Sequence, residues 1–272
     1  MLCLYINLAG ATNRKAHIEK SFSSFNFSTN LQRFEAINVN DVLKKGVAGN
    51  LTEIEKACFL SHATLIKSMI NSKNNLFVME DDIEFYNDTF SIINQTINAM
   101  SEIDWDILYT DVCIPEPTTM IDLIKIKNEL KDTQSFRILD LKKIHFAGAT
   151  GYIINKKSIL KLSNLIEEEK KLDVPFDLLL RNLIYNNDLK GFSIFPFVTT
   201  LSDDSFNSQI QPKNSLNTDF VWNVFRKLIW ANSIKTDTDL LIRKMQNEFC
   251  DEESMALATV IASCISKKFS IK

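Results

Sequence analysis

The sequence contains no run of roughly 18 apolar residues, so it lacks a segment that could cross a membrane as a helix. The apolar opening, Met1 to Ile6, is too short for the hydrophobic core of a signal peptide and has no positive charges before it. It indicates a strand instead. We therefore expect a cytoplasmic protein whose membrane contact, at the inner face, is peripheral.

An excess of positive charge is also missing. The 31 Lys and Arg residues and 34 Asp and Glu residues give a net charge of −3, which argues against nucleic acid as a partner. The five cysteines are odd in number and widely spaced, which indicates reduced thiols rather than a disulfide framework. Internal repeats and low-complexity tracts are absent as well.

What is present is an alternation of short apolar runs with segments of helical periodicity. This pattern predicts a mixed α/β fold in which helices flank a mostly parallel sheet. The predicted strands are Leu2–Asn7 and residues 33–37, 76–79, 105–109, 136–139, 144–147, 152–154 and 192–198. The predicted helices are residues 12–24, 52–71, 88–100, a helix capped by Asn155, and residues 176–185.

Two polar stretches interrupt this pattern. Residues 111–135 contain two prolines and are predicted to form an exposed active-site loop, and residues 201–217 a second, mobile loop. We assign residues 1–215 to a catalytic domain and 216–272 to a helical C-terminal appendage. The appendage could pack on the core, form a homodimer or touch a membrane surface.

Three adjacent carboxylates, Glu80, Asp81 and Asp82, follow the apolar run 76–79. Their mutual repulsion at the end of a buried strand costs free energy unless a cation or hydrogen-bond donors compensate. Hard oxygen ligands suit Mg²⁺ or Mn²⁺, which would neutralise charge on a leaving diphosphate. The alternatives are a solvated acidic turn, or the site of a metal-dependent phosphatase.

A helical stripe carries Cys58 and His62, with Ser61 beside them. His62 is either a hydrogen-bonded core residue or a functional residue. Cys58 fits packing better than nucleophilic chemistry.

Several segments, in order, resemble glycosyltransferase family 25, the lipooligosaccharide and collagen-type galactosyltransferases. The resemblance covers about residues 2–210. The segments are Tyr5-Ile6-Asn7-Leu8 with Asn13-Arg14, Phe34-Glu35-Ala36-Ile37, Leu51 to His62, Glu80-Asp81-Asp82, Trp105 to Tyr109, Ala149 to Ile154 and Pro175-Phe176-Asp177.

The resemblance implies a GT-A, Rossmann-type fold, a UDP-sugar donor, a divalent metal and inversion at the anomeric carbon. It implies donor contacts at Asn7 and Arg14, and we extend that expectation to Ser61, His62, Glu80 and Asp81. We expect the metal, Mn²⁺ or Mg²⁺, at Asp82 with Asp81 and Asp203.

Inverting transfer also needs a carboxylate that removes the proton of the acceptor hydroxyl. Asp177, at a predicted helix start, is the first candidate, with Asp106 and Asp204 as rivals. The expected reaction moves a hexose, galactose first, from a UDP-sugar to a lipooligosaccharide or lipopolysaccharide acceptor. A catalytically silent sugar-nucleotide-binding protein of the same fold remains an alternative.

Overall fold

The computed structural model describes residues 1–25, 30–131, 133, 135–202, 222, 225–231 and 256. Its strands are β1 (Leu2–Asn7), β2 (Leu31–Glu35), β3 (Leu76–Glu80), β4 (Ile83–Phe85), β5 (Ile107–Tyr109), β6 (Arg137–Asp140), β7 (Gly151–Ile154), β8 (Gly191–Phe195) and β9 (Thr199–Leu201). Seven of them form one sheet in the order β2-β1-β3-β7-β5-β8-β6, and β4 pairs with β9 separately. The sheet is mixed, because β6 and β7 run antiparallel to their neighbours.

The helices of the described chain flank this sheet. They are α1 (Thr12–Ser23), α2 (Val39–Lys45), α3 (Glu53–Ser68), α4 (Thr89–Ala99), α5 (Pro117–Lys131), α6 (Ile159–Glu167) and α7 (Phe176–Tyr185), with a 3₁₀ turn at Leu141–Lys143. The predicted class, an α/β fold with helices flanking a sheet, is confirmed, although three of the six strand pairs in the sheet are antiparallel and it is therefore not mostly parallel.

Each face of the sheet has its own apolar core, because successive side chains of a strand point to opposite faces. In β3, Leu76 and Val78 pack with residues of α3, α5, α6 and α7. Phe77 and Met79 pack on the other face with residues of α1 and α4. All four of these side chains are fully buried, which confirms the prediction of a strand covered on both faces.

Strand directions determine which residues meet at the edge of the sheet. β1 and β3 are parallel, and β5 runs the same way because both β3 and β5 are antiparallel to β7. The carboxyl ends of β1, β3 and β5 therefore lie at one edge, together with the amino end of β7. This edge carries Asn7, the carboxylates that follow Met79, and Asp111.

Local sequence signals account for the two helices nearest this edge. Thr52 and Glu55 form the predicted capping box at the start of α3, with each side chain bonded to the other's backbone N–H. Pro175 precedes α7, which begins at Phe176 as predicted. These helices bring Cys58, His62 and Asp177 toward the edge.

Several predicted elements were wrong. Residues 117–131 form helix α5 rather than an exposed loop, and its Met120, Leu123 and Ile124 are buried in the core. Residues 144–147 form no strand, and only Ala147 makes an isolated bridge, to Cys113. The helix after Asn155 begins at Ile159 with Ser158 at its N-cap position.

The predicted loop 201–217 and helical appendage 216–272 lie mostly outside the described residues. Where the chain is described again, the Phe197 N–H bonds the carbonyl of Ile229 at 3.2 Å and the Ala231 N–H bonds the carbonyl of Phe197 at 2.7 Å. Lys127 of α5 donates to the carbonyls of Leu228 and Trp230 at 2.6 and 3.1 Å. Hydrogen bonds to the backbone of residues 228–231 thus fix this segment against Phe197 and helix α5.

Within the described ranges, none of the helices is long and apolar enough to span a bilayer.

Candidate active site

The candidate active site is the edge of the sheet where β1, β3 and β5 end. The side chains of Asn7, the last residue of β1, and Asp81, the first residue after β3, meet there directly: Asn7 Nδ2 donates to Asp81 Oδ2 at 2.7 Å. Arg14, from the first turns of α1, donates to Asp81 Oδ1 at 3.1 Å and lies 3.7 Å from Asp82 Oδ2. The structure therefore brings together four residues that the sequence singled out.

Arg33 fixes the orientation of the Asn7 amide. Its Nε donates to Asn7 Oδ1 at 2.9 Å and a terminal nitrogen donates to the Asn7 carbonyl at 3.2 Å. Because the amide oxygen faces this guanidinium, the amide nitrogen must face Asp81. Sequence reasoning missed Arg33, although it stands in the strand next to β1.

Of the three adjacent carboxylates, Asp82 has the least hydrogen bonding and ion pairing among the described residues to offset its buried negative charge. Its side chain is 13% exposed, and Oδ1 is buried with no hydrogen-bond partner among the described residues. Burial, and then the charge of Glu80, raise the pKa of Asp82 to about 7, against the opposing charge of Arg14. Burial also raises the pKa of Asp81, although the hydrogen bond from Asn7 and the charge of Arg14 oppose the shift.

A buried carboxylate oxygen without a partner fits a divalent cation, because a metal ligand bond would supply the missing interaction. The position of Asp82 is held by the backbone: β4 pairs with β9, and the Ser202 N–H bonds the Asp82 carbonyl at 2.7 Å. The donors here are hard oxygens, which suit Mg²⁺ or Mn²⁺.

Whereas Asp81 and Asp82 lie near Arg14 of α1, the Glu80 side chain points toward α3. Its Oε1 lies 3.3 Å from His62 Nε2, and its side chain is 31% exposed. Burial alone raises the pKa of Glu80, but the hydrogen bond and charge of His62, followed by the charges of Arg226 and Arg14, outweigh it and lower the pKa.

His62 is buried and held on several sides. Its Nδ1 lies 2.9 Å from the Tyr152 hydroxyl, and its ring stacks on Phe176 with centroids 4.5 Å apart. One helical turn before it is Cys58, whose thiol pKa is raised by burial and then by the charges of Glu80, Asp177 and Asp82. His62 is therefore the hydrogen-bonded core residue of the first interpretation, and it also contacts Glu80 of the carboxylate cluster.

Ser61 is buried and engaged. Its hydroxyl donates to the carbonyl of Ala57 at 2.7 Å and accepts from the N–H of Ile37 at 2.8 Å. These bonds tie the segment after β2 to α3, and they give Ser61 a structural task.

The candidate base Asp177 borders the site. It is half-buried in the first turn of α7, and its Oδ2 accepts from the N–H of Gly148 at 2.8 Å. Its charge reaches Cys58 and Tyr109, whose pKa values it helps to raise.

The structure does not bring Asp106 to this edge. Asp106 precedes β5, whose amino end lies at the opposite edge of the sheet. Its Oδ2 accepts from the Lys161 ammonium at 3.0 Å and from the Lys190 N–H at 2.7 Å. Selecting it as a candidate base was wrong, because it joins two elements away from the carboxylates. The other candidates, Asp203 and Asp204, lie outside the described residues.

Sequence reasoning also missed a buried network around Asp111. Arg226 donates to Asp111 from Nε at 3.1 Å and from its terminal nitrogen, and to the Thr150 hydroxyl at 3.1 Å. The Thr199 hydroxyl, which has one proton to donate, lies within hydrogen-bond distance of both Asp111 Oδ1, at 3.1 Å, and Thr110 Oγ1, at 2.7 Å. Asp111 follows a short apolar strand just as Glu80 does, so the same rule would have found it, whereas nothing local marks Arg226.

Comparisons with known proteins match the chain to a glycosyltransferase family. The family model described as glycosyltransferase family 25 (LPS biosynthesis protein) matches residues 2–180. The lipooligosaccharide biosynthesis protein lic2B of Haemophilus influenzae is 25% identical over 229 residues, 79% of this chain and 81% of that protein. The lacto-N-neotetraose biosynthesis glycosyltransferase LgtE of Neisseria meningitidis serogroup B is 28% identical over 162 residues, 57% of this chain and 56% of that protein.

Among solved structures, apo mouse xyloside xylosyltransferase 1 aligns with a TM-score of 0.34 and 8% identity, over 70% of this chain and 63% of that one.

Proposed function

The chain belongs to glycosyltransferase family 25, and from that premise we propose that it transfers a hexose from a UDP-sugar to a lipooligosaccharide or lipopolysaccharide saccharide. Galactose is the first choice of sugar, with glucose or N-acetylglucosamine next, and the anomeric carbon is inverted. We assign the fold to the GT-A type, which the mixed sheet flanked by helices supports. The names of lic2B and LgtE, which concern lipooligosaccharide and lacto-N-neotetraose biosynthesis, support this class of acceptor.

The observation that carries the proposal is the buried, unpartnered Oδ1 of Asp82 at the carboxyl edge of the sheet. Asp82 and Asp81 would hold Mn²⁺ or Mg²⁺ there, with Asp203 as a further ligand. Such an ion, when bound, offsets negative charge on the diphosphate of a departing UDP.

The protein's own cations and amides orient the donor. Arg14 already bridges Asp81 and Asp82, at 3.1 and 3.7 Å, so its guanidinium is positioned beside the proposed ion to donate to a phosphate oxygen of the donor. Asn7, oriented by Arg33, holds Asp81 in place at 2.7 Å. The donor diphosphate therefore meets a preorganised set of charges rather than a set that must assemble on binding.

Asp177 is the proposed general base. One carboxylate oxygen is used by the Gly148 N–H at 2.8 Å, which orients the group. The other carboxylate oxygen takes the proton of the acceptor hydroxyl. As it does so, the acceptor's hydroxyl oxygen bonds to the anomeric carbon and the bond between that carbon and UDP breaks. A cytoplasmic enzyme working at the inner membrane face, where such acceptors are built on lipid, fits this reaction.

A thermal-shift panel of UDP-galactose, UDP-glucose and UDP-N-acetylglucosamine, with and without Mn²⁺, tests donor and metal without needing the acceptor. We expect one UDP-sugar to raise the melting temperature in a Mn²⁺-dependent manner, and UDP to be released when a saccharide acceptor is added. Donor binding without turnover on any acceptor would favour the catalytically silent alternative. Phosphate release from simple esters would favour the phosphatase, and no shift with any nucleotide sugar would contradict the proposal.

A further inference from the structure

A second cluster of metal-ligating side chains lies behind the carboxylate edge. One ligand atom each from Cys58, His62 and Glu80 lies within 4.8 Å of the other two. Cys58 and His62 are four residues apart on α3, so both side chains leave the same face of the helix, and Glu80 comes to them from the end of β3. We propose that these three side chains form a binding site for Zn²⁺, separate from the proposed Mn²⁺ or Mg²⁺ position at Asp82.

The distances suit tetrahedral zinc. With Zn–N about 2.0–2.1 Å and Zn–O about 2.0–2.2 Å, two tetrahedral ligand atoms are about 3.3–3.5 Å apart. His62 Nε2 and Glu80 Oε1 are 3.3 Å apart. A Zn–S bond of about 2.3 Å places sulfur about 3.6 Å from the imidazole nitrogen. All three ligand atoms lie within 4.8 Å of one another, so the thiol is at most about 1.2 Å farther from the imidazole nitrogen than a zinc-bound sulfur would be.

The surroundings of His62 are those of a metal-bound imidazole. The Tyr152 hydroxyl lies 2.9 Å from Nδ1, so that nitrogen can donate its proton to the hydroxyl and leave the Nε2 lone pair directed at the cluster. Phe176 stacks against the ring at 4.5 Å and restricts its rotation. The ligand orientation is thus held before any ion arrives.

The ligand set distinguishes this site from its neighbour. A thiolate and an imidazole favour Zn²⁺ over Mg²⁺ or Mn²⁺, which prefer carboxylate, phosphate and water oxygens. Binding releases the thiol proton to solvent, and the three protein ligands leave a fourth position for water or a substrate oxygen.

Cobalt substitution gives a readout that depends on the thiolate itself. Purified full-length protein, freed of metal by a chelator, is titrated with Co²⁺ and then with Zn²⁺. We expect a near-ultraviolet sulfur-to-cobalt charge-transfer band at one equivalent, together with visible bands of tetrahedral cobalt, and loss of both on adding Zn²⁺. The Tyr152→Phe variant should bind about 10- to 100-fold more weakly, because the hydrogen bond between the Tyr152 hydroxyl and His62 Nδ1 is gone.

Cys58→Ser and His62→Gln should each lose the charge-transfer band, while Cys113→Ser and Asp82→Asn keep it. Circular dichroism and the thermal midpoint of each variant separate lost ligation from lost folding. The proposal is overturned if cobalt binds without a sulfur-to-cobalt band, if the Cys58→Ser variant keeps this band, or if the Asp82→Asn variant loses it. The UDP-sugar panel with Mn²⁺, run on the same preparation, tests the glycosyltransferase proposal independently.

Discussion

Arg226 donates from Nε to Oδ2 of Asp111 at 3.1 Å, although 115 residues separate them in the chain. Both side chains are almost completely buried, with exposures of 5% and 0%. A buried charge is tolerated only when its partners satisfy it, and here Asp111 also accepts from Thr199 while Arg226 also donates to Thr150. The pair thus joins the described part of the C-terminal segment to the edge of the sheet.

Replacing Arg226 by Ala leaves Asp111 buried without its main partner. We expect the free energy of unfolding, measured by urea denaturation, to fall by about 3–5 kcal/mol. The double variant Arg226→Met/Asp111→Leu, which removes both charges, should recover much of that loss. A suitable control is Lys190→Ala, which breaks an exposed pair with Asp104 and should leave stability unchanged. If Arg226→Ala changes the free energy of unfolding as little as Lys190→Ala does, the buried pair does not stabilise the fold.

Asp82→Asn separates stability from activity. Asn keeps the shape of the side chain and removes a charge whose burial is costly, since burial and Glu80 raise the pKa of Asp82 to about 7. We expect the free energy of unfolding without metal to stay equal or rise, while UDP release falls about 100-fold or more. Asp88→Asn, an exposed acid six residues later, is the matched control. Wild-type turnover in Asp82→Asn would remove Asp82 from the site.

The strand-end carboxylates could be predicted from the sequence because a buried strand leaves a clear local signal. Leu76 to Met79 are four bulky apolar residues, and the acids after them must lie where the strand meets solvent. The capping box of Thr52 and Glu55 is equally local, and it correctly started the helix that carries Cys58 and His62.

Other features were missed for identifiable reasons. Pro117 was taken as a sign of a loop, but proline is favoured at the first position of a helix, and α5 begins there. Asp106 and Asp111 flank the same strand, and only the direction of β5 relative to β3 shows that Asp111 shares the edge with Glu80. Arg226 reaches the site through tertiary packing, which no sequence pattern indicates.

Gly151 leaves no room for a side chain. A Cβ atom there would lie 2.5 Å from Thr110 Oγ1 and 2.8 Å from Ile83 Cδ1. We expect Gly151→Ala to lower the free energy of unfolding by about 1–3 kcal/mol and to reduce activity, because the displaced Thr110 bonds Thr199 of the Asp111 network. Gly10→Ala is the control, since a Cβ at Gly10 meets nothing within 4 Å. If Gly151→Ala and Gly10→Ala have the same free energy of unfolding, Thr110 and Ile83 do not pack as closely against Gly151 as the structure shows.

Arg14 should affect the donor more than the fold. The Arg14 side chain is 27% exposed, and its guanidinium contacts both Asp81 and Asp82. We expect Arg14→Ala to weaken UDP-sugar binding about tenfold or more by isothermal titration calorimetry, in line with the loss of a charge-assisted hydrogen bond. Lys20→Ala, an exposed cation in the last turn of the same helix, should bind the donor as the wild type does. If both variants bind alike, Arg14 only neutralises the two carboxylates.

Asp177→Asn tests the general base with minimal disturbance. The hydrogen bond from the Gly148 N–H to Oδ2, at 2.8 Å, survives because an amide oxygen can accept it equally well. What disappears is the ability to take a proton. We therefore expect kcat to fall about 10²- to 10⁴-fold while the donor Kd and the thermal midpoint stay near wild type.

The matched variant Asp177→Ala distinguishes this role from a purely structural one. Ala removes the bond to Gly148 as well as the base, so it should show the same loss of kcat together with a lower thermal midpoint. If Asp177 only anchors the Gly148 segment, Asn will behave as the wild type and Ala alone will be impaired. In that outcome the base must come from another carboxylate, and the oriented oxygen of Asp177 serves the fold instead of the reaction.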